Sequence, residues 1–364
     1  MNLCPEYRVR LYMSVDLIGS TAFKAAEQGR KVAENGLSSV WSTETRNFYR
    51  RFPELLHKEF DKVASGDGHA TSPPRLWKTI GDEIVFCCRV VNQEHLSSCV
   101  TAFLKALHQF GKILDKSGGH LDLKGCGWIA TFPTPNVALA VAGRVADASS
   151  PDLPFDEGQE LSCDMKPEDF DFLGRHIDTG FRLSNYAEAD RFVVSVELAY
   201  LLSDKQLPKL FSGPFDYHGR ERLKGVLDER PYPIFALNTE RDEISAEVRM
   251  AERALVGRPI IDGNQVRTFL EHFVLHEKIE VPVLPRGVEP VPSDALPETY
   301  RTFSQRWERH KANVDANLRT ESQGAEIGNA GGTGLEERPE AFSNAIVEVT
   351  AVGRTKGKSG SSRS

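Results

Sequence analysis

The chain has no excess of positive charge. Its 45 lysines and arginines stand against 52 aspartates and glutamates, a net charge of −7 over 364 residues. That balance argues against nucleic acid as a partner, because a polyanion needs a basic surface, whereas a small anionic ligand needs only a local basic pocket. No run of about 18 apolar residues occurs, and the N-terminus has no charged segment followed by a long apolar one. The expectation is a cytoplasmic protein that neither crosses a membrane nor is exported. The six cysteines, Cys4, Cys87, Cys88, Cys99, Cys126 and Cys163, include no Cys-x-x-Cys pair. They lie in apolar runs, so the reading is reduced core thiols rather than a zinc site or a disulfide framework. There is no internal repeat.

What is present is a chain with 40% hydrophobic residues, enough for one large domain or a domain and an appendage. Residues 8 to 16 (RVRLYMSVD) favour a strand and empty into Leu17-Ile-Gly-Ser-Thr21, after which a helix is expected. Apolar residues recur at helical spacing from Leu37 to Val63, with Pro53 expected to kink or restart the helix. Two short apolar runs, 75 to 80 and 83 to 88, flank Gly81-Asp82 and read as a hairpin with Asp82 at its tip. The stripe Leu96, Val100, Phe103, Leu104, Leu107, Phe110 and Leu114 predicts the clearest helix, and a strand follows at 121 to 130. That order fits an α+β, ferredoxin-like layer of helices on a mostly antiparallel sheet. A loop is expected over 149 to 169, a helix over 176 to 189, a strand at 192 to 195, a helix at 196 to 203 and strands at 217 to 226 and 231 to 238. The domain boundaries read as 1 to 240 for the main domain, 241 to 318 for a C-terminal extension, and 319 to 364 for a disordered tail rich in Gly, Glu, Asn and Ser.

Asp16 and Asp82 each end a strand at a loop, and adjacent strands can bring two such carboxylates together. Paired carboxylates suit hard cations such as Mg²⁺ or Mn²⁺, which bind through a few protein oxygens together with substrate phosphates. Leu17 to Thr21 would present backbone N–H groups of Gly19, Ser20 and Thr21 at a helix mouth, a setting that favours phosphate. An aspartate at a loop is more often a turn former, so only the combination carries weight.

Val15-Asp16-Leu17-Ile18-Gly19-Ser20-Thr21 and Lys78-Thr79-Ile80-Gly81-Asp82 resemble the two metal motifs of class III adenylate and guanylate cyclases, in the same order. Asp171-Phe-Leu-Gly-Arg-His-Ile-Asp178-Thr-Gly-Phe-Arg182-Leu is similar to that family's base, ribose and phosphate segment, and Leu223-Lys224-Gly225-Val226 to the Lys-Gly of its last strands. The resemblance covers about residues 8 to 240. It implies that Asp16, Asp82 and the Leu17 carbonyl hold two Mn²⁺ or Mg²⁺ ions per site. It further implies that Lys78 and Asp171 read the base, that Arg182 stabilises the α-phosphoryl group, and that Lys224 holds the departing phosphates. Asp178 departs from the family's usual asparagine at the ribose position. A site shared between two catalytic domains implies a homodimer with two sites, inactive as a monomer.

A donor beside an acceptor, as at Lys78 and Asp171, fits adenine, uracil, cytosine or guanine in different registers. Bulky residues nearby in sequence, Tyr49, Arg75 and Trp77, are candidates to narrow the pocket against a purine. Tyr12-Met-Ser-Val-Asp16-Leu-Ile-Gly-Ser-Thr21-Ala-Phe-Lys24, with the stretch from Asp178, most resembles the bacterial Pycsar pyrimidine cyclases. That implies cyclic UMP or cyclic CMP made from UTP or CTP after phage infection and sensed by a separate effector, with UTP the favoured substrate. The alternatives are an adenylate cyclase making cyclic AMP, an inactive cyclase-like dimerising module, and a palm-type polymerase, whose Gly-Gly-acidic-acidic hairpin Gly81-Asp82-Glu83 only half matches.

Overall fold

In a computed structural model of the chain, residues 3–27, 39–64, 71–116, 121–141, 154–204, 214–255, 257, 261–287 and 289–329 are described. Strand β1 (Arg8–Ile18) leads through Gly19 into α1 (Ser20–Glu27), and α2 (Val40–Ala64) follows. A hairpin of β2 (Arg75–Ile80) and β3 (Glu83–Val90) precedes α3 (Gln93–Lys116) and β4 (Asp122–Phe132). The sheet orders these four strands β2-β3-β1-β4, the arrangement expected of a ferredoxin-like unit. Strands β7 (Arg191–Val194), β8 (Phe215–Arg222) and β9 (Pro231–Asn238) extend it beyond β4 in the order β7-β9-β8. Every pairing in the seven-stranded sheet is antiparallel except β4 with β7. The fold is therefore α+β.

Strand alternation divides the side chains between two faces. On one face Phe86 of β3 meets Phe52 of α2 and Phe103 of α3, with ring centroids 5.9 and 6.0 Å apart. Phe48, Phe52, Leu56 and Phe60 of α2 are buried there. Burial of such side chains is worth about 2 to 3 kcal/mol each, which accounts for α2 running on through Pro53 despite the lost backbone bond. On the other face Tyr12 of β1 stacks on Trp128 of β4 at 5.6 Å and packs edge-on to Trp77 of β2 at 5.2 Å.

The segment 149 to 169, expected as a loop, contains a helix, α4 (Glu157–Met165). It opens with a capping box in which Asp156 accepts from the Gln159 N–H and Gln159 accepts from the Asp156 N–H. Buried Arg8 and Arg10 of β1 hold it to the sheet. Arg8 donates to Glu157 and Asp164, and Arg10 to Glu160 and Asp164, at 2.6 to 3.0 Å for the bonds to Asp164 and Glu160. A separate two-stranded antiparallel sheet pairs β5 (Val137–Ala140) with β6 (Phe170–Leu173), on either side of α4 in sequence, which periodicity did not anticipate.

Helix α5 (Arg175–Leu183) is shorter than the expected 176 to 189 and passes into a 3₁₀ turn, Ser184–Tyr186. Helix α6 (Val196–Leu202) follows β7. After β9 come α7 (Glu243–Leu255), α8 (Gly263–Glu277) and α9 (Glu298–Asn329). Val266, Leu270 and Phe273 of α8 and Leu284 beyond it join the core, within a compact unit that runs from Met1 to His310. A second unit covers Lys311–Ser364. Of the tail expected to be disordered, 319–329 belong to α9 and 330–364 lie outside the described residues. Among the described residues no helix is long and apolar enough to cross a membrane.

The clamp on α4 should show in the pH dependence of stability. Burial pushes the Glu157 carboxyl up, but the hydrogen bonds from Arg8 and from the Glu6 N–H outweigh it and hold the carboxyl below its ordinary value. A depressed glutamate contributes stability that is present above the unfolded-state value, about 4.3, and is lost as pH falls through the folded-state value. Thermal melts should therefore show Glu157→Gln less stable than the parent at neutral pH. The gap should close below the ordinary carboxylate range.

Candidate active site

Asp16 is the last residue of β1 to pair with both neighbours, opposite Glu83 of β3 and Lys124 of β4. Its half-buried carboxylate lies 3.2 Å from Lys124 Nζ. Burial pushes the Asp16 carboxyl above its ordinary value; Lys124 opposes that shift and Asp82 adds to it. Glu83 is raised in the same way, by burial first and then by Asp16 and Asp82, with a hydrogen bond from Ser14 opposing. Asp82 stands at the β2–β3 turn, where Gly81 has φ +64°, a conformation open to glycine and strained for most other residues. Ser20 Oγ donates to Asp82, and Lys24 Nζ of α1 is 4.0 Å away. The β1–β3 register and the turn after β2 bring three carboxylates, Asp16, Asp82 and Glu83, to the ends of two adjacent strands, close enough that Asp16 and Glu83 are each raised by the other charges. Lys124 and Lys24 flank them.

Oxygen donors of like charge, each opposed by a movable lysine, fit a divalent cation better than they fit one another. Asp16 and Asp82 would hold it. Leu17 has a buried side chain and can offer only its carbonyl. Gly19, at φ +84°, makes the turn into α1, where its carbonyl accepts from Phe23 N–H at 2.9 Å. Ser20 is buried and Thr21 exposed at the first turn of that helix.

Lys78 and Asp171 meet directly. Lys78 Nζ lies 2.5 Å from Asp171 Oδ1, and both side chains stay partly exposed. A bulge makes this contact possible: Leu76 pairs with Phe86, yet Lys78 pairs with Val85, so one extra residue turns Lys78 to the Tyr12 face. Trp77 is that residue. It is 2% exposed, its indole N–H donates to the Phe170 carbonyl at 3.0 Å, and Lys78 Nζ sits 4.0 Å from its ring centre. Trp77 is thus a core residue that supports Lys78 from below, and not an aromatic projecting into a base pocket. Tyr49 stands on the α2 side of the sheet. Its hydroxyl donates to the Gly81 carbonyl beside Asp82, which ties Tyr49 to the carboxylate turn rather than to the Lys78–Asp171 pair.

Asp178 and Arg182 share the exposed face of α5 with Arg175, while Ile177, Thr179, Gly180 and Leu183 are buried. Neither Asp178 nor Arg182 has an ion-pair partner among the described residues. Gly180 lies flat against the Trp128 indole, where a Cβ would overlap the ring. Lys224 is exposed in the β8–β9 connection, beside Gly225 at φ +75°. Three groups of side chains therefore emerge: the carboxylates with Ser20 and Tyr49, the Lys78–Asp171 pair, and the exposed cations Arg182 and Lys224. No hydrogen bond or ion pair among the described residues joins one group to another. Lys124, which the sequence did not mark out, and Glu83, marked only as part of the Gly81-Asp82-Glu83 turn, belong to the first group through strand register.

No protein-family model matches the chain, and no curated protein matches it. Among solved structures it is similar to the adenylyl cyclase CyaB from P. aeruginosa at 14% identity, over 64% of this chain and 94% of that one, with a TM-score of 0.38. It is also similar to the guanylate cyclase domain of RhGC from Catenaria anguillulae in complex with GTP (13% identity, 65% and 100% coverage, TM-score 0.37) and to the guanylyl cyclase Cya2 (13%, 65% and 94%, TM-score 0.37).

Proposed function

We propose that the chain is a class III nucleotide cyclase acting as a homodimer on a pyrimidine nucleoside triphosphate, with UTP the favoured substrate. The observation that carries the reading is the meeting of Asp16 and Asp82, the two acidic residues of the cyclase-like motifs, across the β1 and β3 strand ends. A pair of divalent cations at these carboxylates would activate the ribose 3′-hydroxyl and screen the triphosphate. Ser20 fixes the Asp82 carboxylate, and Lys124 and Lys24 neutralise the site before substrate arrives. Lys78 and Asp171 offer a donor beside an acceptor to the base edge. Asp178, exposed on α5, would take hydrogen bonds from ribose hydroxyls. Arg182 would meet the charge that develops on the α-phosphoryl oxygens as the 3′-oxygen displaces pyrophosphate, and Lys224 would hold the leaving phosphates.

That no hydrogen bond or ion pair among the described residues joins these groups supports a site completed by a second copy, with carboxylates from one protomer and Lys78, Asp171 and Arg182 from the other. Val137 and Leu139 of β5 and Leu173 of β6 are 43 to 46% exposed, an apolar surface suited to that pairing. The pyrimidine preference rests on the resemblance around Tyr12 to Lys24, and with it the role of the product as an anti-phage signal read by a separate effector.

The test is to incubate the purified chain with each of the four ribonucleoside triphosphates and Mn²⁺ and to identify the products. Cyclic UMP is the expected major product, cyclic AMP alone would overturn the pyrimidine assignment, and no cyclic product would overturn the cyclase reading. Arg182→Ala should lower kcat by about 10²- to 10³-fold with little change in KM. Mixing inactive Asp16→Ala with inactive Arg182→Ala should restore activity, since each mixed dimer keeps one intact site.

A further inference from the structure

On the α2 and α3 side of the sheet, three metal-binding side chains converge that the proposed reaction does not use. Cys88 of β3 and His95 and Cys99 of α3 are all buried, and one ligand atom from each lies within 4.8 Å of the others. The two sulfurs are 3.8 Å apart. Two thiolates at about 2.3 Å from one tetrahedral zinc ion are separated by about that distance. His95 and Cys99, four residues apart, share one side of α3, and Cys88 faces them from the strand.

The histidine is already set for ligation. Asn92 Oδ1 accepts the His95 backbone N–H at 2.8 Å and fixes the first turn of α3. The Ser72 carbonyl lies 2.9 Å from Nε2 and takes that proton, so the lone pair is on Nδ1. Among the described residues, Nδ1 is engaged by one long contact of 3.4 Å from the Val91 N–H. A carbonyl holding the far nitrogen is the arrangement that orients metal-bound histidines. Phe60 packs edge-on to the ring at 5.8 Å and keeps the place apolar.

We propose that Cys88, His95 and Cys99 bind one zinc ion. Soft thiolate and imidazole donors select such a metal over Mg²⁺ or Mn²⁺. Two thiolates and a dication sum to zero charge, which suits burial, and binding releases the two thiol protons. The site is separate from the carboxylates: Cys88 lies five residues along β3 from Glu83, about 17 Å, and on the opposite face. Zinc binding there requires nothing of the cyclase reading. The ion would fasten the start of α3 to the strand whose other end carries the Asp82 turn.

The test uses the full-length chain, produced with zinc supplied and purified under reducing conditions, with zinc measured by elemental analysis. A single equivalent per chain is expected in the parent and in the Asp16→Ala, Asp82→Ala double variant. Folded Cys99→Ala should have lost it. X-ray absorption at the zinc edge of the parent should show two sulfur neighbours and an imidazole nitrogen. That spectrum reads the ligand shell even where the cysteine variants do not fold. A parent without zinc, a zinc shell of oxygen alone, or a folded Cys99→Ala that keeps its zinc would overturn the proposal.

Discussion

Asp82→Ala is expected to lower cyclisation by about a thousandfold while leaving the melting temperature within about 2 °C of the parent. The kinetic figure follows from losing about 4 kcal/mol of stabilisation at a metal-held phosphoryl group, at a tenfold change per 1.36 kcal/mol. The thermal figure follows from position. Asp82 sits at the tip of a two-residue turn, packs no core, and lies near two other carboxylates, Asp16 and Glu83, which its removal relieves. Asp82→Asn separates two contributions that Asp82→Ala merges, because an amide oxygen still accepts from Ser20 but ligates a dication poorly. The asparagine variant should therefore be nearly as inactive as the alanine variant and recover in part at high Mn²⁺. Product chromatography across a Mn²⁺ series, with a melting curve for each variant, checks both halves. Full activity in Asp82→Ala would remove the carboxylate pair from the mechanism.

The largest effect on stability should come from Arg10→Ala. Arg10 has no exposed surface, donates to Glu160 and Asp164, and lays its guanidinium over Phe132 and Phe172 at 4.6 and 5.1 Å. Removing it leaves the buried Glu160 carboxylate without its partner, while Asp164 keeps Arg8, at a cost of about 3 to 5 kcal/mol. For a unit of this size the melting temperature should drop by about 10 °C. Asp164 is shared by Arg8 and Arg10, so Asp164→Ala and Arg10→Ala should be clearly non-additive in urea unfolding. Activity should fall as well. Phe172, against which the guanidinium rests, follows Asp171 on β6, and α4 is fastened through the same arginines.

The parts of this molecule that were legible in the sequence are those with local signals. The β1 to α1 transition, the Gly81-Asp82 turn and the apolar stripe of α3 all announce themselves within a few residues. Helix α4 did not, since Glu160 and Cys163 are its buried positions and an ion network, not an apolar stripe, docks it. Its capping box, Asp156 to Gln159, was the available signal. Lys124 could not be placed beside Asp16 because only the pairing of β1 with β4 does so. Trp77 could not be assigned to the core from sequence for a related reason. A bulge reverses the alternation at that residue, and nothing local marks it. The cysteines show the same dependence on distant contacts. The spacing Cys88-x₆-His95-x₃-Cys99 has no zinc signature until the strand and helix are packed together.

The contact between Gly180 and Trp128 makes one helix's height above the sheet a matter of ring thickness. Asp178 and Arg182 stand two residues to either side of that glycine, so any side chain grown there would raise both by the same lever. Two chains with identical residues at 178 and 182 could then differ in reach. The identity of the residue at 180 and the ring at 128 would decide which of them touches a substrate.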